Sequence, residues 1–127
     1  IGVLSGLSQA NASVAIGYRA GGITQGLYSI AVGLDAGKNQ LADAVAIGRN
    51  AGQGTSTSQG SNSIAIGLNA GVASQTAGSI CLNASGVALN PNQAGCFIRP
   101  LRGVALGLGV GVVYYDTATY ELQYSTT

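Results

Sequence analysis

Branched apolar and small residues alternate in short bursts along the chain. In SVAIGYRAG (Ser13–Gly21), SIAVGLDAG (Ser29–Gly37), AVAIGRNAG (Ala44–Gly52) and SIAIGLNAG (Ser63–Gly71), Val or Ile takes every second position of the burst, with Ser, Ala or Gly between. A weaker copy, SICLNASG, spans Ser79–Gly86. Successive side chains of a strand point to opposite faces, so this period of two predicts one short strand per copy. The glycine-type position falls at Gly17, Gly33, Gly48, Gly67 and then Asn83, in steps of 16, 15, 19 and 16 residues. A glutamine (Gln9, Gln25, Gln40, Gln59, Gln75) stands four residues before each copy.

A repeat of this regularity predicts an array, and its period selects the kind. Fifteen or sixteen residues are too few for a pair of helices. They suit two short strands and two turns, which is one coil of a β-solenoid or β-roll. The more hydrophobic face is expected inside, so the repeat core is assigned to Val14, Ile16, Ile30, Val32, Val45, Ile47, Ile64, Ile66, Ile80 and Leu82. The Ser/Ala/Gly face is then left for close approach by a neighbour. Gly17, Gly33, Gly48, Gly67 and Asn83 are assigned to the repeat turn, where positive φ is cheap for Gly and tolerated by Asn. Asp35, Asn50 and Asn69, two residues later, suit left-handed turns as well. The step of 19 places its extra residues in the turn-rich Gly52–Gly60. The weak fifth copy reads as a terminal coil, since end repeats are atypical. A roll this thin buries little by itself. The missing burial is expected from a homo-oligomer whose small-residue faces meet near an axis.

The 127 residues make one domain, divided here into repeats (1–86) and a capping strand with a β-hairpin (87–127). Only 7% of residues are charged, against about 25% in an ordinary soluble domain. The net charge of +1 supplies no field for nucleic acid or anionic lipid. Residues 103–115 form the longest low-polarity run. It is rich in glycine and shorter than the roughly 18 residues of a membrane helix, so no membrane insertion is expected. The opening IGVLSGLSQ lacks the basic start and apolar core of a signal peptide. It already reads as repeat material, as in a fragment or a processed product.

Chemistry finds little to work with. The chain has no His and four carboxylates, Asp35, Asp43, Asp116 and Glu121. Asp35, Asp43 and Asp116 fall on links and turns and there is no nucleophile motif, so no enzyme, cofactor or metal is expected. Calcium held by an Asp and loop carbonyls is the nearest metal alternative. GLGVG (Gly107–Gly111) lacks phosphate-loop spacing and reads as a small-residue strand. Cys81 and Cys96 lie one coil apart. Stacking leaves two readings open, a disulfide or two buried thiols behaving as small hydrophobes. Cys81, on the small face, is also placed to approach its symmetry mates. Arg99 and Arg102, flanking Pro100, read as a solvated or paired end of the roll. The sequons at Asn11 and Asn83 overlap repeat turns and strands and are read as chance matches. The Thr/Ser cluster Thr55–Gln59 does not recur in the other links, which argues against an ice-binding array.

S-(V/I)-A-(I/V)-G-x-x-A resembles the YadA-like head repeat of trimeric autotransporter adhesins over residues 5 to about 86. The resemblance implies a left-handed parallel β-roll with three chains to a head. The period here, fifteen to nineteen, is longer than that family's usual one, and its neck, stalk and anchor segments are missing. AGCFIRPLR (Ala94–Arg102) and VVYYDTATYELQY (Val112–Tyr124) resemble the segment after such repeats in fibre proteins of large DNA viruses and tailed phages. There a strand leads into a Tyr-rich hairpin, and the end at Ser125–Thr127 would suit a chain trimmed after assembly. The expectation is a non-enzymatic homotrimeric fibre module, extracellular on a virion or cell surface, displaying structure and attaching to a host glycan or surface protein. The alternatives are a bacterial adhesin head and a purely structural fibre or capsid component.

Overall fold

The computed structural model describes residues 1–54, 58–101 and 112–125. Among them there is no helix. The strands are β1 (Val14–Ile16), β2 (Thr24–Gln25), β3 (Ile30–Val32), β4 (Asn39–Gln40), β5 (Val45–Ile47), β6 (Ile64–Gly67), β7 (Ser79–Asn83), β8 (Gly95–Arg99), β9 (Val112–Asp116) and β10 (Glu121–Ser125). One parallel sheet runs β1-β3-β5-β6-β7-β8. The opposite side of each coil is thinner. It consists of the parallel pair β2–β4 and single bridges Gln9↔Gln25, Gln40↔Gln59, Gln59↔Gln75 and Ala70↔Leu89. The chain is thus an all-β solenoid of about five turns. β8 joins the sheet as its sixth rung, and β9–β10 form an antiparallel hairpin.

Register stacks like on like. Val14, Ile30, Val45, Ile64, Ile80 and Cys96 form one column. Ala15, Ala31, Ala46, Ala65, Cys81 and Phe97 form the next, and Ile16, Val32, Ile47, Ile66, Leu82 and Ile98 the third. The opening residues, which read as repeat material, add a partial coil. Gly17 N and Arg19 N donate to the Ile1 and Val3 carbonyls, and Gly2, Leu4 and Gly6 repeat the positive φ of Gly17, Arg19 and Gly21.

The expected inside and outside are exchanged. The buried column is the alanine column: Ala31, Ala46, Ala65 and Cys81 have no exposed surface. None of the residues assigned to the core, Val14, Ile16, Ile30, Val32, Val45, Ile47, Ile64, Ile66, Ile80 and Leu82, is buried. The physical reason is the glutamine. Gln25, Gln40, Gln59 and Gln75 are buried within the coil and reach across it. Gln40 Nε2 donates to the carbonyls of Ile30 (3.1 Å) and Ala44 (2.8 Å). Gln75 does the same to Ile64 (2.9 Å) and Ser79 (3.2 Å), and Gln25 to Val14 (2.6 Å) and Ser29 (3.4 Å). An amide arm spanning so thin a coil leaves room for a methyl and no more. Ser29, Ser63 and Ser79 close the adjoining turn by donating to the carbonyl three residues back.

Two glycines show what the turns demand. Gly33 has φ 131°, and a Cβ there would lie 2.6 Å from the Gly48 carbonyl oxygen, so the corner stacks backbone on backbone. Gly37 has φ 51°, and a Cβ would meet Gln40 Oε1 at 2.5 Å. Among the described residues that oxygen has no hydrogen-bond donor, and it rests against the glycine instead. Asp35, Asn50 and Asn69 take the left-handed conformation, with φ of 53°, 58° and 56°. Asn83 does not. It lies within β7 and is buried, its Nδ2 donating to the Leu68 (2.8 Å) and Val87 (2.7 Å) carbonyls. Its side chain, not its backbone freedom, explains its place in the turn column.

Candidate interaction surface

The outer face of the six-stranded sheet carries the first and third columns. Eleven of those twelve positions are aliphatic and the twelfth is Cys96. Val14, Ile16, Ile30, Ile47, Ile66, Ile80 and Ile98 keep between 37 and 43% of their surface exposed. Val32, Val45, Ile64 and Leu82 are half-buried, by packing along their own columns. No charged side chain interrupts either column.

Fully covering a Val, Leu or Ile is worth about 1.5–3 kcal/mol relative to full exposure. With about two fifths still exposed, each rung retains roughly 0.5–1 kcal/mol, or on the order of 5–10 kcal/mol for the face. That is comparable with the roughly 4–15 kcal/mol cost of associating two chains. The rungs also repeat at strand spacing, about 4.8 Å. A surface with that same repeat is the shape that interdigitates with it.

Among the described residues, cavities open on this face. One, of about 710 Å³, lies between the last coils and the hairpin, with Ile80 and Cys96 on one side and Tyr115, Tyr120 and Leu122 on the other. A shallower one, of about 370 Å³, is bounded by Ile66, Leu82, Ile98, Arg99 and Pro100. Both are predominantly apolar. Arg99 is exposed at the end of β8.

The cysteines do not form a disulfide; both are free. Cys81 stands in register with Phe97 and Cys96 with Ile80, so the two thiols occupy opposite faces of adjacent strands. Cys81 is buried among the alanines and its thiol donates to the Leu89 carbonyl (3.3 Å). Burial pushes that thiol's pKa up. Cys81 has no exposed surface, whereas Cys96 is exposed.

The carboxylates are scattered. Asp35 is buried in a corner and accepts from Arg19 at 2.6 Å, a contact that raises the Arg19 pKa. Arg19 also lies 5.1 Å from the centre of the Tyr18 ring. Asp43 is exposed in a turn. Asp116 accepts from Ala118 N (2.7 Å) and Thr119 N (3.3 Å) in the hairpin turn, and these amides hold its pKa below the usual carboxylate value. Glu121 accepts from Gln123 Nε2 at 3.0 Å. Among the described residues no three His, Cys, Asp or Glu gather around a metal-sized space. Of the two sequons, Asn11 is exposed and Asn83 is buried. Arg102, Gly107–Gly111 and Thr55–Thr57 lie outside the described residues.

Sequence reasoning found both aliphatic columns but placed them inside. The signal that sets them outside was visible as the invariant glutamine, a large polar residue that can sit inside a thin coil only if nothing else large does. No family model, curated protein or solved structure matches this chain.

Proposed function

We propose that this chain is a non-enzymatic module of a trimeric surface fibre that displays structure and attaches to a host or other surface. The observation that carries the reading is the uncharged ladder of aliphatic side chains on the outer face of the sheet. A second and third copy of the same coil stack supply the matching ladder, and the assembly buries what one chain leaves exposed. Three copies, a left-handed coil and a capping role for β9–β10 follow from the resemblance to YadA-like heads and to viral and phage fibres. The axis then runs along the aliphatic faces. The alanine faces are already used inside each coil.

In this reading the protein is extracellular, on a virion or, in the adhesin alternative, on a bacterial surface. Attachment falls to the loops and corners that face away from the axis, toward a host glycan or surface protein. Contacts there are weak singly and gain from threefold valency. The test is binding of the assembled module to glycan arrays and host-cell surfaces, beside an Ile47→Asp/Ile66→Asp variant. Saturable binding that weakens when the assembly is broken supports attachment. No saturable binding by a well-assembled module leaves a purely structural fibre component.

A further inference from the structure

We infer that the second copy covering the aliphatic face also fills the cavity beneath the hairpin, bringing the Cys96 thiols of neighbouring chains face to face. The inference rests on the assembly reading above and names the contact its last coils make. Three observations lead to it. First, the cavity is continuous with the ladder: Ile80 and Cys96 are the last two rungs of the column that begins at Val14.

Second, the hairpin is poorly covered by its own chain. Tyr115, Tyr120 and Leu122 all face the cavity, yet Tyr120 is 78% and Leu122 70% exposed. A two-stranded hairpin is marginally stable without a surface to pack on. Here it stands off the coils across about 710 Å³ of apolar space, and no charged side chain lines it among the described residues. An uncharged space beside an uncharged ladder suits the apolar side chains that another copy of this chain carries.

Third, Cys96 breaks the column's pattern of branched aliphatics at this level, with its thiol exposed. Rotation about an axis along the coil stack keeps copies of one residue at one height. Copies of Cys96 therefore meet copies of Cys96. Cys81 takes no part, since it is enclosed within its own coil.

The experiment uses the full chain with Cys81→Ala, which puts at that rung the residue its column carries at Ala15, Ala31, Ala46 and Ala65. A short two-armed maleimide is added. Each arm takes a thiol by forming a sulfur–carbon bond, the thiol proton passing to the neighbouring carbon. The inference predicts a two-chain band on a denaturing gel, unchanged by tenfold dilution and missing from the Cys96→Ser variant. One thiol per chain lets each linker join two chains, so in a trimer one chain is always left over. If light scattering gives an assembly but no two-chain band forms, Cys96 does not meet its copies, and this inference falls while the assembly reading stands. If the mass is that of one chain, both fall together.

Discussion

The two faces of one sheet follow opposite rules. Ala46 and Ile47 are neighbours in β5; one has no exposed surface and the other keeps 39% of its own. A ranking by hydrophobicity puts the isoleucine inside. Space decides otherwise, because the coil interior is already crossed by Gln40 and its partners, whose amides bind strand carbonyls on the far side. Burial in a solenoid is a question of which face the thin interior can hold. The larger apolar groups are then left on the outer face, partly exposed.

That contrast is broken most severely from within. Gln40→Glu turns a buried amide donor into an acceptor facing two carbonyls. The expected loss is about 3 kcal/mol or more at neutral pH, since removing a donor and burying a charge both cost. Denaturant titration at pH 7 and at pH 5 checks it. Burial raises the new carboxyl's folded pKa, so protonation restores a donor and the penalty shrinks as pH falls. Ala46→Leu overpacks the same interior, at a cost of about 1–3 kcal/mol by the same titration. Ile47→Ser, one residue on, is expected to cost the single chain under about 1 kcal/mol, because the side chain is already partly in water. Its larger effect is on assembly, read as a fall in solution mass.

The smallest effect belongs to the hairpin turn. The amides of Ala118 and Thr119 lower the Asp116 pKa in the folded state. Their contribution is therefore complete above the unfolded carboxylate pKa and is lost as pH falls through the folded one. The protection of the Ala118 and Thr119 amides, measured as exchange relative to the intrinsic rate at each pH, should fall in acid and lose most of that pH dependence in Asp116→Asn.

Much of the fold was legible in the chain. Alternation located β1, β3, β5, β6 and β7, and the step of the motif gave the stacking. Asp35, Asn50 and Asn69 announced left-handed corners by residue type. Alternation alone cannot say which face is inside, because a period of two is symmetric between faces. The glutamine column could have broken the tie, but its role emerges only when each amide is seen to span the coil. The opening read as repeat material even though Ile1–Gly6 carries the turn of the motif without the strand before it. Cys81 and Cys96 looked like a pair by spacing. A separation of fifteen residues, unlike sixteen at this rung, puts them on opposite faces.

The central claim is that the outer aliphatic face is covered by copies of the chain. Light scattering of the purified 12.5 kDa chain over a range of dilutions tests it most directly. The account predicts the mass of three chains for the wild type and of one folded chain for Ile47→Asp/Ile66→Asp. A wild-type protein that stays a single folded chain at every concentration would contradict it.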